Sequence, residues 1–176
     1  SMTINIPARK TSVKDSFKDR VEKKMAKLAK FFDDEAVATV VVTNEHDRET
    51  VEITIQSGGM VFRGEKTTAD RLDSLEGVTD SLLKQITRNK EKLQKKFKSP
   101  GIDKAFAAYE DAYTEEYHVV RVKKFSLKPM DVEEAILQMN MVGHEFFMFR
   151  NVDTGEINVV YRRKDGNYGL LEPENL

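Results

Sequence analysis

Few side chains in this sequence are of a type and spacing that supports bond chemistry. There are three histidines, His46, His118 and His144, and no cysteine. Thiol nucleophiles, disulfides and cysteine-ligated metals are therefore excluded. His144 stands in Gly143-His144-Glu145 with no second ligand at helical spacing, so it reads as the end of a helix rather than a zinc ligand. The densest acidic run, Asp33-Asp34-Glu35, would serve as a cation site or as the acid of an enzyme acting on RNA; a solvated helix-strand loop is the simpler reading. Gly58-Gly59 lies between two strand-like stretches, where a hairpin turn needs it, and is no phosphate loop. No serine sits in a nucleophile-elbow context. The reading is of a protein without catalytic residues, metal or cofactor.

The cations are better organised. One helical stretch carries Lys10, Lys14, Lys18, Arg20, Lys23, Lys24, Lys27 and Lys30, and the last five of the run from Arg20 share one flank by three-and-four spacing. A second carries Lys84, Arg88, Lys90, Lys92, Lys95 and Lys96, with only Glu91 among them. Side by side, these flanks would make a basic surface roughly 20–30 Å long. Such a surface suits RNA phosphates, which cations grip without reading sequence. An ordinary solvated lysine-rich helix face accounts for the same residues.

The elements that would position these groups follow from hydrophobic period. Val13, Phe17, Val21, Met25, Leu28 and Phe32 form the stripe of a first helix, with Thr11 or Ser12 as its N-cap. Thr3–Ile6, Val37–Thr43, Thr50–Gln56 and Met60–Thr67 alternate as strands, with Val51, Ile53 and Ile55 on one face. A single long helix is expected from about Asp70 to Phe97, striped by Leu72, Leu75, Val78 or Thr79, Leu82, Ile86, Leu93 and Phe97, and weakened near its start by Gly77. Residues 1–97 thus read β-α-β-β-β-α, an α+β domain with two helices on one sheet face. Residues 98–116 are acidic, opened by Pro100-Gly101, and read as a linker in which Phe106, Tyr109 and Tyr113 could form a docking helix. Residues 117–176 read as a small β-α-β-β-β domain: a strand from His118 to Phe125, a helix from Asp131 to Val142, and strands Glu145–Arg150, Ile157–Arg162 and Tyr168–Leu171.

This last domain poses a burial problem. Phe146, Phe147, Met148 and Phe149 are consecutive, so both faces of their strand are apolar, while one helix covers one face. A second copy of the domain, the aromatic residues of the linker, or the first domain would cover the other. Phe147, Phe149, Val159 and Tyr161 are the candidates for that uncovered face and for a homodimer interface. Arg162, Arg163 and Lys164, at the lip of the Asp165-Gly166-Asn167 turn, read as a solvated rim.

Composition sets outer bounds. The chain of 176 residues is 34% charged and 39% hydrophobic, enough for one medium or two small domains. Its net charge of -1 conceals 19 Lys/Arg against 16 Asp/Glu in residues 1–97, 2 against 5 in residues 98–116, and 8 against 9 in residues 117–176. No apolar run approaches the roughly 20 residues of a membrane span. Ser1 before Met2 has the look of a cloning remnant.

Two stretches, FSLKPMDVEEAILQMNMVGHEFFMFRN from Phe125 to Asn151 and TGEINVVYRRKDGNYGLLEP from Thr154 to Pro173, resemble the C-terminal domain of long-form bacterial ribosome hibernation promoting factors. VEKKMAKLAKFF (Val21–Phe32), VEITI (Val51–Ile55), FRGE (Phe62–Glu65) and LLKQITRNKEKL (Leu82–Leu93) are similar to the N-terminal domain of that family. The sequence departs from the family at Asp70-Arg71-Leu72, where an aromatic residue is usual. The resemblance implies a cytoplasmic, ribosome-associated protein. Its first domain would lie on the rRNA of the small ribosomal subunit, over the mRNA and A/P tRNA sites, and stop translation. Its second domain would pair two ribosomes as a homodimer, with neither membrane nor small-molecule substrate involved. By motif match, Lys23, Lys24, Lys27, Lys30, Lys84, Arg88, Lys90 and Lys92 would face rRNA. From the residues alone, a generic double-stranded-RNA binder with a dimerisation tail remains the alternative.

Overall fold

The computed structural model describes residues 1–8, 11–98, 100–109 and 111–174. It divides the chain into two compact units, Ser1–Tyr117 and His118–Leu176.

In the first unit, strands β1 (Thr3–Asn5), β2 (Val37–Glu45), β3 (Arg48–Ser57) and β4 (Met60–Thr68) form one sheet in that order. β1 pairs parallel with β2; the other pairs are antiparallel hairpins. Alternation decides the faces: Ala38, Val40 and Val42 of β2, Val51, Ile53 and Ile55 of β3, and Phe62 of β4 are all buried in one core. Helix α1 (Asp15–Ala29) adds Phe17, Val21, Met25 and Leu28 to it, and helix α2 (Arg71–Thr87) adds Leu75, Val78, Leu82 and Ile86. Both helices therefore cover the same sheet face, and the α+β architecture is the expected one. The opposite face is polar, with Arg63 bridging Glu52 at 2.6 Å and Glu65 at 3.0 Å. Gly77 in α2 has a packing reason: a Cβ there would lie 2.9 Å from the Lys66 stem, so Gly77 lets the helix settle onto β4.

Three expectations for this unit are corrected. The first helix is not capped by Thr11 or Ser12; it begins at Asp15 after Lys14, because the Ser12 carbonyl is drawn to the Arg71 guanidinium at 3.1 Å. Leu72 is exposed rather than part of the α2 stripe. The single helix to Phe97 is broken into α2 and α3 (Lys90–Lys96). At the break, the carbonyls of Thr87 and Arg88 accept from the backbone N–H of Tyr113 and Glu115, both at 2.9 Å. Glu91 N–H, which would continue the helix ladder, donates instead to Thr114 Oγ1 at 2.9 Å. Residues 113–115 thus take over the backbone groups that an unbroken helix would have paired internally.

The stretch from 98 to 116 was expected as a linker, and much of it is packed. Helix α4 (Pro100–Ala107) buries Ile102, Ala105 and Phe106 in the first unit's core. Phe31 meets Phe106 edge-on at 4.9 Å and stacks on Tyr109 at 5.8 Å.

In the second unit, β5 (Pro129–Met130), β6 (Phe146–Asn151), β7 (Ile157–Arg162) and β8 (Tyr168–Leu171) form a second four-stranded sheet in that order. Helix α5 (Val132–Met141) starts at Asp131, whose carboxylate accepts from Glu134 N–H at 2.7 Å. The strand expected from His118 to Phe125 is absent; these residues are in neither helix nor strand and are exposed. In its place the two-residue β5 enters the sheet directly before α5, parallel to β6. Asn151 organises the β6–β7 turn: its backbone carbonyl accepts from Gly155 N–H at 2.7 Å, and its side chain bonds Asn158 at 2.9 Å inside the core.

Since Phe106 is fully buried by aromatic and aliphatic neighbours, Phe106→Ala should destabilise the first unit by about 3–5 kcal/mol. Urea unfolding followed by a probe in that unit checks this; an unshifted midpoint would show that α4 is not part of the core.

Candidate nucleic-acid interface and uncovered sheet face

The first candidate surface comes from the flanks of α1, α2 and α3. Ser12 contacts Arg71 near the start of both major helices, and Lys24 pairs with Glu76 at 3.6 Å further along both. The two helices therefore run in the same direction, and the Lys24 flank of α1 is turned towards α2. Over the first half of α2 the basic flank faces acid, as in the Lys24–Glu76 pair. Near the C-terminal ends the balance changes. Lys23 and Lys27 on α1 with Lys30 just after it, and Lys84 on α2 with Arg88 just after it, are all exposed. Cations in a helix's last turn, Lys27 and Lys84 here, are also favoured by the helix dipole.

The eight candidate cations are thus not equivalent. Lys23, Lys27, Lys30, Lys84 and Arg88 stand in solvent, whereas Lys24 is half-buried against Glu76. Lys90 is half-buried beside the helix break, its backbone N–H donating to the Tyr113 carbonyl at 3.3 Å. Lys92 is committed within the first unit: its ammonium donates to the Glu115 carbonyl and lies 3.3 Å from the centre of the Tyr117 ring. Tyr117 in turn donates its hydroxyl to Asn89 Oδ1. This strap at the end of the unit had no sequence signal beyond its aromatic residues. Lys10 lies outside the described residues.

At Asp70-Arg71-Leu72, Asp70 caps α2 through bonds from Leu72 N–H (2.8 Å) and Asp73 N–H (3.2 Å). Arg71 is held by Glu49 at 3.2 Å, by Ser12, and over the Phe17 ring at 5.6 Å. It lines an open cleft of about 630 Å³ shared with Lys14, Ser16 and Arg20. Asp33 turns back on its own loop, its carboxylate accepting from Glu35 N–H at 3.0 Å. Among the described residues no group of three His, Asp or Glu is placed to hold a metal ion, and no helix is long and apolar enough to cross a membrane.

The second candidate surface is the C-terminal sheet. Its register pairs Phe147 with Val160 and Phe149 with Asn158, and pairs Phe146 with Tyr161 and Met148 with Val159. Residues directly opposite share a face. Phe149 and Val160 are buried with Ala135 and Met139 of α5, and Phe147 packs on them. The four candidates therefore split. Phe147 and Phe149 belong to the helix-covered face, and only Val159 and Tyr161 lie on the uncovered one. That uncovered face also carries Phe146, Met148, Ile157 and Leu171, all exposed. The Tyr161 ring lies on Gly169 of β8, so closely that a Cβ there would come 2.2 Å from it. At the hairpin rim, Arg162 bonds Asn140 and sits 5.5 Å over the Tyr168 ring, and Arg163 pairs with Asp165 at 3.1 Å. The Asn167 backbone N–H, aided by Arg163, holds the Asp165 carboxyl below the usual carboxylate range.

If the strap restrains Lys92, Tyr117→Ala should speed amide exchange at Tyr113 and Glu115 by roughly tenfold or more, the loss of about 1.4 kcal/mol of local closing energy. Hydrogen exchange read by mass spectrometry tests it, and unchanged protection would assign the strap's stability to Phe106 and Tyr109 alone.

Comparison with known proteins finds matches along most of the chain. Residues 4–94 match the family model described as Sigma 54 modulation protein / S30EA ribosomal protein, and residues 103–170 match the model of that family's C terminus. A protein of Bacillus subtilis named ribosome hibernation promotion factor is 42% identical over 187 residues, covering 98% of this chain and 99% of that one. A Staphylococcus aureus protein of the same name is 35% identical over 175 residues, covering 92% of each. The solved N-terminal domain of Thermus thermophilus Protein Y is similar at 28% identity and a TM-score of 0.40, over 48% of this chain and 90% of that domain. With both of the family's domains matched in order and relatives aligned over nearly their whole length, this chain belongs to the long-form ribosome hibernation promotion factors.

Proposed function

We propose that this protein silences ribosomes by occupying them and joining them in pairs. The first unit binds the small ribosomal subunit through rRNA phosphates, over the mRNA and A/P tRNA sites, and so stops translation. The second unit forms a homodimer that ties two such ribosomes together. The observation that carries this reading is the near end-to-end likeness to the two curated hibernation promotion factors. The physical support is the pairing of an exposed basic end on α1 and α2 with a sheet whose second face has no cover within its own unit. The activity is occlusion, with no reaction catalysed and no cofactor required. It belongs in the cytoplasm, on the ribosome. A generic double-stranded-RNA binder would hold free duplex RNA as tightly as ribosomes.

The exposed cations carry the rRNA contacts in this reading: Lys23, Lys27, Lys30, Lys84 and Arg88, with Lys24 and Lys90 at the margin. Lys92 contributes only when the strap yields. For the dimer, Phe146, Met148, Ile157, Val159, Tyr161 and Leu171 form the contact. Among the described residues, the second unit fully buries only Ala135, Met139, Phe149 and Val160 of its apolar side chains, so pairing also supplies the core that so small a unit lacks.

Reversing Lys23, Lys27, Lys84 and Arg88 to Glu should lower ribosome affinity by at least 100-fold without unfolding the chain, and the wild type should lose affinity steeply with salt, with a log-log slope near -0.7 to -0.9 per phosphate contacted. Co-sedimentation across a salt series measures both. Undiminished binding by a folded quadruple variant would remove these helices from the interface. Separately, Met148→Asp or Val159→Asp should give monomers by native mass spectrometry that still inhibit translation, since truncating a central interface side chain typically costs about 2 kcal/mol or more. Phe149→Ala should instead destabilise the unit itself.

A further inference from the structure

The strap over the α2–α3 break is held unlike the rest of the first unit. Helix α4 and the residues just after it anchor through apolar side chains: Phe106 is fully buried, and Tyr109 and Ala112 pack on the core. Beyond Ala112 the attachment turns polar. Tyr113 N–H donates to the Thr87 carbonyl and Glu115 N–H to the Arg88 carbonyl, both at 2.9 Å, and Lys90 N–H donates to the Tyr113 carbonyl at 3.3 Å. Glu91 N–H donates to Thr114 Oγ1, the Lys92 ammonium to the Glu115 carbonyl, and the Tyr117 hydroxyl to Asn89 Oδ1. Tyr113 and Tyr117 stay 51% and 67% exposed, so closure buries little apolar surface. Water and phosphate oxygens can satisfy the same N–H and ammonium groups. The strap therefore opens more readily than the segment anchored by Phe106.

What the strap covers and what it carries are opposite in charge. Helix α3 holds Lys90, Lys92, Lys95 and Lys96, with Glu91 as its single acid. The strap holds Glu115 and Glu116, and the sequence has no Lys or Arg from Ala105 to Val120. Closed, it brings these acids to a basic helix and engages Lys92 with a carbonyl and an aromatic ring. Strap and nucleic acid compete for the same cation.

We propose that residues 113–117 form an autoinhibitory strap, which RNA phosphates displace from Asn89, Lys90 and Lys92. This rests on the rRNA contact proposed above and says how that contact is gated. A ligand shifts such an equilibrium by its preference for one of the two states. RNA prefers the open state, because opening frees the Lys92 ammonium and withdraws Glu115 and Glu116. The free protein thus holds nucleic acid less tightly than its lysines alone would allow, and a dense array of phosphates completes the basic face. Opening also adds residues 113–117 to the connection between the two units, up to about 17 Å of extended chain. A docked first unit then carries the second on a longer tether.

The chain has no cysteine, so a disulfide can lock the strap in the full-length protein. Asn89 and Thr114 face each other as an isolated antiparallel bridge. The backbone bonds flank this pair rather than join it, which sets the two Cα atoms about 4.5 Å apart, within disulfide reach. Asn89→Cys with Thr114→Cys, oxidised, should co-sediment with ribosomes roughly tenfold or more weakly than the same protein reduced, while the wild type is indifferent to reductant. In the opposite sense, Thr114→Ala with Tyr117→Ala should bind roughly threefold or more tightly than the wild type. Hydrogen exchange of the ribosome-bound wild type should show protection lost at Tyr113 and Glu115 and kept in α2. If the locked and reduced forms bind alike, the strap need not open, and the proposal is overturned while the rRNA contact stands. A loosened variant that binds more weakly would make the strap itself an RNA contact, and would equally overturn it. A wild type that does not sediment with ribosomes would remove the rRNA contact and the strap's role together.

Discussion

A β-strand points successive side chains to opposite faces, and one ten-residue helix covers only one of them. In β6 every side chain from Phe146 to Phe149 is apolar, so half of this set is left without cover inside its own unit. This constraint shapes the second half of the molecule. It separates Phe147 and Phe149, which meet Met139 and Ala135 of α5, from Phe146 and Met148, which face outward beside Val159 and Tyr161. On that outward face the Tyr161 ring lies over the bare backbone of Gly169 on the neighbouring strand.

The first unit solves the opposite problem, since both of its helices sit on one sheet face and leave their outer flanks in solvent. What it must manage is the point where α2 ends. Thr87 and Arg88 give their carbonyls to Tyr113 and Glu115, and Asn89 both donates to the Gln85 carbonyl and accepts from Tyr117. The break is therefore fully hydrogen-bonded and carries little penalty. It also brings a short strap against the basic helices, where Lys92 is engaged by the Glu115 carbonyl and the Tyr117 ring. A cation so engaged is costlier for a phosphate to recruit than the exposed Lys84 or Arg88.

Local pattern in the sequence carried much of this architecture. The four-residue spacing of Phe17, Val21 and Met25, the alternation of Val51, Ile53 and Ile55, and Asp131 before an apolar run each encode an element within a single window. What escaped depends on partners distant in sequence. Nothing within Asp70–Phe97 announces that residues 113–115 will claim the carbonyls at 87 and 88. Phe106 could be seen as apolar, but not as the residue that meets Phe31. The assignment of Phe147 and Phe149 to the uncovered face failed through register parity, since moving a pairing by one residue exchanges the two faces of a strand. The segment from His118 to Phe125 has a strand's composition and no strand, because composition cannot supply an edge to pair with. For the basic surface, helical spacing located the cations, and contacts between elements sorted the exposed from the engaged.

The central claim is that one chain both occupies a ribosome and joins it to another. Sucrose-gradient sedimentation of purified ribosomes with the full-length protein tests it most directly, with the amount of protein in each fraction measured. The account predicts a faster-sedimenting peak of paired ribosomes that contains one copy of this chain per ribosome. Ribosomes that bind the protein stoichiometrically yet sediment only as single particles would contradict it.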